Sequence, residues 1–310
     1  MEHEADITRA RSLPSTTLRP TVAAMEDILH VPHEVLDHGF LRVVDYMGDD
    51  DAVVQAARVS YGRGTRRTNE DRGLIRYLMR HWHTTPFEMC EVKLHVKLPI
   101  FVARQWIRHR MANVNEYSAR YSILDREFYL PDPAHLATQS NSNRQGRDET
   151  LEGDEAAEVL RILRDDSNRS YEHYKWMLND PEDGEADPGR KGLSRELARI
   201  GLSLSTYTQW YWKVDLHNLF GFLRLRVDPH AQYEIRAYAE SLLGIVRKWV
   251  PTSFEAFCDY RLDAVTLSAM ELELVRRALD GKEFDLSGSE LSAREEAELR
   301  AKLALPTRHG

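Results

Sequence analysis

Glu91 to Leu98 alternates without a break. Val92, Leu94, Val96 and Leu98 are apolar, while Glu91, Lys93, His95 and Lys97 are polar. A period of two puts each set on one face, so the segment predicts a half-buried strand. Pro99 ends that strand and can open a helix. In the helix that follows, Ala103, Trp106, Ile107 and Met111 share one face, and the helical pattern fades after Arg110. Asn113 to Tyr121 then reads as an ordered loop. Upstream, Asp50 to Val59 suits a helix with an acidic first turn. Gly62 to Arg67 reads as a loop, and Leu74, Ile75, Leu78 and Met79 mark a helix around Glu70 to His81.

Downstream, Glu155 to Leu178 reads as a long helix, and Leu193 to about Gly201 as a short one. Ser203 to Trp212 favours strand by its threonine and aromatic content. Asp215 suits an N-cap for a helix carrying Leu219, Phe222 and Leu223, and Asp228-Pro229 suits the start of a long helix ending before Pro251. Pro181 to Gly192 reads as a surface loop, and the tail from about Lys282 as charged and helical. Strands and long helices without regular alternation predict an α+β fold: a mixed central sheet flanked by long helices. The expected organisation is a polar, flexible or partner-dependent arm at 1–32 and a main domain at 33–262. That domain carries an insertion near 140–153, and a charged helical extension follows at 263–310.

Composition narrows the function. The 310 residues carry a formal net charge of -8, which disfavours a broad nucleic-acid footprint, so any anion site is a local arginine cluster. No signal peptide or membrane span is expected, and two cysteines, Cys90 and Cys258, fit a reducing, cytoplasmic setting. They read as small apolar fillers. His81-Trp82-His83 is weak as a metal site, so no metal is expected. No glycine-rich phosphate loop is present, and Ser118 has no evident paired base. Arg108-His109-Arg110, then Asn115-Glu116, Ser118 and Arg120-Tyr121 concentrate cations, a carboxylate, a hydroxyl and a phenol behind an apolar run. Guanidinium forks match phosphate and carboxylate oxygens, so the stretch reads either as an anion site or as a charged helix end knit by ion pairs.

Arg108-His109-Arg110-Met111-Ala112-Asn113-Val114-Asn115-Glu116-Tyr117-Ser118-Ala119-Arg120-Tyr121 resembles the RHRxxSxNExSxRY signature of the flavin-dependent thymidylate synthases. Asn113 stands where the signature has its first serine. Ala56 to Ser60, His83 to Glu88, Pro99 to Trp106 and Leu225 to Gln232 resemble family segments in the family's order. The resemblance spans about His33 to Tyr260. It implies reductive methylation of dUMP to dTMP without an enzyme nucleophile. Methylenetetrahydrofolate would donate the carbon and NADPH-reduced FAD the hydride, in a homotetramer with shared active sites. By position, dUMP would meet Gln105, Trp106, Ile107, Arg108, Glu116, Tyr117, Ser118, Ala119, Arg120, Arg199 and Arg226, with Arg226 catalytic at the pyrimidine edge. FAD would meet Thr85, Arg108, His109, Arg110, Glu116, Asp215, Leu216, His217 and Gly221; the last replaces a larger polar residue common there. A diverged nucleotide-binding paralogue without synthase activity is the alternative.

Overall fold

The computed structural model describes residues 2–14, 16–59, 68–140, 146–181, 186–280 and 289–304. The loop expected at Gly62 to Arg67, and parts of those expected at 140–153 and 181–192, lie outside them. Two units are compact, Met1–Phe257 and Cys258–Gly310.

In the larger unit, α1 (Glu2–Arg11) and α2 (Ala23–Glu26) precede β1 (Pro32–Val35) and β2 (Gly39–Met47). Within the stretch read as a flexible or partner-dependent arm, Arg11 Nη1 donates to the carbonyls of Asp27 (3.2 Å) and Leu29 (2.9 Å), and Met25 is fully buried. Next come α3 (Asp50–Val59), α4 (Thr68–Arg80), a 3-10 turn over Thr85–Met89, β3 (Glu91–Pro99), α5 (Ile100–Trp106) and β4 (Asn113–Glu116). A hairpin, β5 (Ala137–Gln139) and β6 (Arg147–Thr150), leads into α6 (Gly153–Leu178) and α7 (Arg195–Ala198). The unit ends with β7 (Tyr207–Asp215), α8 (Leu216–Arg226), α9 (Tyr233–Trp249) and α10 (Pro251–Phe257).

The fold is α+β, and its sheet runs β1-β2-β3-β7-β4. Every pairing between these strands is antiparallel; among the described residues the parallel component is one isolated bridge, Leu29 to Val43. On the inner face Val43 lies beside Leu94 and Leu94 beside Trp212, all fully buried, beneath α5, α8 and α9. The outer face departs from simple alternation, since His95 and Lys97 are buried too. Polar partners make that tolerable. His95 bridges Arg42 Nη2 (2.7 Å) and Gln209 Oε1 (2.9 Å), and Lys97 pairs with Glu127. β3 is therefore a buried strand rather than a half-buried one.

Three boundaries differ from the local pattern. α5 stops at Trp106, four residues before the pattern fades. The chain turns there, and Asn113 to Glu116 becomes a strand because β7 offers an open edge at Trp210 to Lys213. β7 starts and ends later than expected, since Lys213 to Asp215 pair with Glu91 to Lys93. Asp228 does not cap α9: its carboxylate accepts from His230 N (2.8 Å) in a turn, and the helix begins at Tyr233. Asp215 does cap α8, accepting from Asn218 N at 2.9 Å.

Gly39 opens β2 where no side chain fits. A Cβ there would fall 1.9 Å from Tyr238 Oη, which donates to Lys97 O at 2.6 Å. Gly39→Ala therefore breaks that buried hydrogen bond or overpacks the site. We expect a loss of about 2 kcal/mol in chemical denaturation; an unchanged midpoint would refute the clash.

In the smaller unit, α11 (Ala269–Leu279) and α12 (Ala293–Lys302) each start with a capping box, Ser268 with Glu271 and Ser292 with Glu295. Leu291 and Leu299 pack with Leu267, Leu274 and Leu303. The tail thus has helices on both sides of residues 281–288, which lie outside the described part.

Candidate active site

Two small buried residues place the arginines of a cavity. Ala119 and Ala198 sit in one apolar cluster with Leu124, Tyr171, Tyr174 and Leu178. Their anchoring leaves the flanking Ser118, Arg120 and Arg199 on the rim of a cavity of about 470 Å³, whose wall also includes Glu116, Tyr117 and Thr208. The main chain is fixed as well: Tyr117 N donates to Gln209 O (2.8 Å) and Tyr121 N to Ser118 O (3.0 Å). Glu116 accepts from Thr208 Oγ1 at 2.8 Å. Among the described residues Arg108, Arg110, Arg120 and Arg199 have no carboxylate within ion-pair distance. That removes the reading of this stretch as a structural ion-pair network. Guanidinium forks without a carboxylate partner, beside a serine hydroxyl, suit an anion.

A second group gathers where α5 meets the end of α8. Arg226 Nη2 donates to Gln105 O at 3.2 Å, and the Gln105 side chain is hydrogen-bonded to Gln232. Arg226 Nε and His109 Nε2 are buried without a partner among the described residues. The His109 ring lies against Phe222 (5.6 Å between centroids) and Trp212 (6.3 Å). Burial, then the Arg226 charge, hold His109 below its ordinary pKa. Burial also pulls the Arg226 guanidinium below its ordinary value, yet a guanidinium stays charged. Two orphaned polar nitrogens in a protein interior are costly unless a ligand completes them.

The third group surrounds the start of α8. The Thr85–Met89 turn packs on α8, with Phe87 and Phe220 rings 6.4 Å apart, and Leu216 N donates to Cys90 O at 2.9 Å. Asp215 and His217 are half-buried and Thr85 is exposed. Leu216 is fully buried, so it lies behind Asp215 and His217 rather than on the surface beside them. Gly221 points to open space, with nothing within 4 Å of a built Cβ.

The expected site residues thus fall into three neighbourhoods: Glu116 to Arg120 with Arg199; Gln105 with Arg226 and His109; and Thr85 with Asp215 to Gly221. Ile107 is exposed, but Trp106 is fully buried among Trp210, Trp212, Phe222 and Tyr238, so its ring packs beneath the neighbourhood instead of lining its surface. Local reading of the chain missed Thr208 and Glu234. Thr208 sits in phase with Trp210 and Trp212, and Glu234 sits among Ile235, Tyr238 and Leu242 on an apolar helix face; both periodicities were available signals.

An antiparallel α+β core thus carries a cavity with two guanidinium groups on its rim and, near the end of α8, buried side-chain nitrogens without a partner among the described residues. The family model described as "Thymidylate synthase complementing protein" matches residues 42–252. The chain is 64% identical over 302 residues to the flavin-dependent thymidylate synthase of Gluconobacter oxydans (strain 621H), covering 97% of each. It is 62% identical to that of Ruegeria pomeroyi, over 94% of each. Its structure is similar to that of a UMP/dUMP methylase, PolB from Streptomyces cacaoi, bound with 5-Br UMP: TM-score 0.63, 33% identity, 74% of this chain and 97% of that one. The chain belongs to the flavin-dependent thymidylate synthases, methyltransferases acting on dUMP.

Proposed function

We propose that the chain converts dUMP to dTMP with methylenetetrahydrofolate as carbon donor, NADPH as reductant and FAD as the flavin. The observation that carries this reading is a set of cations with no carboxylate partner among the described residues: Arg120 and Arg199 on the cavity rim, and half-buried Arg226 beside Gln105. Arg120, Arg199 and the Ser118 hydroxyl hold the phosphate. Gln105, Ile107, Arg108, Glu116, Tyr117 and the main chain at Ala119 orient the nucleoside, with Trp106 buried behind them. Arg226 lies at the pyrimidine edge, where its fixed charge stabilises the ring after loss of the N3 proton and makes the ring carbon nucleophilic. No protein nucleophile is required. Cys90 suits none: burial, then the charges of Asp49 and Asp50, push its thiol up to about 12, and it donates to Asp49 O.

The residues fit a flavin. His109 Nε2 is an orphaned buried group, and Arg108 and Arg110 are unpaired; together they suit an electron-rich ring and its phosphates. Thr85, Arg108, His109, Arg110, Glu116, Asp215, Leu216, His217 and the backbone at Gly221 would hold it. When bound, the flavin supplies the hydride. Exposed Met111, Tyr121, Ile200 and Leu225 adjoin these residues, which supports a homotetramer with shared sites. No described helix is long and apolar enough to cross a membrane, and a cytoplasmic setting is part of the proposal.

The diverged paralogue is disfavoured by identity over nearly the whole length and by the intact cation set. Asn113 acts through the β4 ladder, where it pairs with Lys213, so losing the serine leaves the strand in place. Purified protein should be yellow and should form dTMP from dUMP, methylenetetrahydrofolate and NADPH. A preparation that takes up no FAD and forms no dTMP rejects the reading.

A further inference from the structure

We infer that Glu234 and its partner Arg147 are positioning residues that fix the polarity of an amide relay, Gln232 to Gln105, beside Arg226. The inference rests on the reading of Gln105 and Arg226 as dUMP contacts.

Glu234 lies in the first turn of α9, 2% exposed. Three donors make four hydrogen bonds to its carboxylate. Arg147 Nη2 reaches Oε1 (2.6 Å) and Oε2 (2.8 Å), Tyr129 Oη donates to Oε1 (3.1 Å), and Gln232 Nε2 donates to Oε2 (2.8 Å). Arg147 comes from β6 of the hairpin, and its Nη1 also donates to His135 O at 3.1 Å, which locks the guanidinium to the hairpin's base. Burial pushes the Glu234 carboxyl up, but the hydrogen bonds and charge of Arg147, with Gln232, outweigh it and leave the group below the usual carboxylate range. An ionised carboxylate only accepts.

That one-way chemistry propagates. Gln232 must turn its amide nitrogen toward Glu234, so its oxygen faces Gln105. Gln105 answers with its own nitrogen, Nε2 to Gln232 Oε1. Its remaining oxygen is left as an acceptor for a hydrogen-bond donor of the nucleotide. The main chain of the same residue is held by Arg226. A neutral group at 234 would both donate and accept, so both amides could turn over and Gln105 would offer either polarity. The hairpin, which reads as an insertion in the sequence, thus reaches the pyrimidine side of the site through three side chains.

The test compares holoenzyme variants for dUMP saturation, NADPH saturation and the melting-temperature rise on adding dUMP. Glu234→Gln keeps shape but frees the polarity. We expect KM for dUMP to rise about tenfold, with a smaller dUMP-induced melting shift and kcat at saturating dUMP largely kept. Arg147→Met should do the same, because an unpaired buried Glu234 takes up a proton; it serves as the second variant if Glu234→Gln folds poorly. Arg147→Lys keeps the countercharge and should restore most of the dUMP affinity. An unchanged KM for dUMP in Glu234→Gln, or equal loss of every parameter in step with the folded fraction, overturns the inference. Arg226→Ala run alongside separates the premises: normal dUMP turnover there overturns the underlying assignment and this inference with it.

Discussion

Arg226→Ala should lower kcat for dTMP formation by about 10²–10³ while the flavin stays bound. The size follows from where the guanidinium sits. It is fixed to Gln105 O at 3.2 Å, and its Nε is buried without a partner among the described residues. A charge held in that setting needs no reorganisation when negative charge develops on a bound ring, so nearly all of its interaction serves the transition state. Alanine removes the charge and leaves water or nothing in its place. Arg226→Lys should recover little, since an ammonium cannot present a planar fork to both Gln105 O and a ring edge. A second readout checks that the charge itself has gone. His109 is held low by burial first and by Arg226 second, so its pKa should rise in Arg226→Ala yet stay below the ordinary histidine range. Titration by NMR measures this. Turnover within a few fold of the parent, with the His109 titration shifted as expected, would take Arg226 out of the chemistry while showing that the substitution did what was intended.

The elements legible in the sequence are those whose pattern is set locally. The acidic first turn of α3, Asp50 and Asp51, marked its start, and Ile75, Leu78 and Met79 in α4 are buried on the stripe that helical spacing marks. β3 showed its period of two, and the Asp215 cap of α8 was readable because a capping carboxylate acts within three residues. What escaped depends on partners distant in sequence. β4 carries no strand signal of its own: all four residues are exposed, and only the β7 edge, about a hundred residues on, makes them a strand. His95 and Lys97 look solvent-facing until Arg42, Gln209 and Glu127 are brought against them. The same holds in the site. The arginine stretch announced itself by type and order, whereas its freedom from ion pairs is a fact of three dimensions. So is the relay behind Gln105, which draws on β6 and α9 at once.

Trp106→Ala should destabilise the larger unit by about 3–5 kcal/mol, a large share of the 5–15 kcal/mol typical of a domain. The indole is fully buried, with Phe222 at 4.7 Å, Trp212 at 5.2 Å, Tyr238 at 5.9 Å and Trp210 at 6.0 Å between ring centroids. These rings come from α8, β7 and α9, so one side chain joins three elements to α5. Deleting it opens a cavity that rigid neighbours on a sheet cannot collapse to fill. Its position adds a functional cost. Gln105 precedes it and His109 N donates to Trp106 O at 3.0 Å, so loosening the last turn of α5 displaces both groups that flank Arg226. Trp106→Phe should be far milder. It keeps a ring against Phe222, and it removes an indole N–H that is buried without a partner among the described residues, offsetting part of the lost volume. Chemical denaturation should therefore rank the parent and Trp106→Phe close together and Trp106→Ala well below. The dUMP-dependent activity of Trp106→Ala should fall even at a temperature where it remains folded. Equal midpoints for all three would show that the aromatic cluster does not hold the site in place.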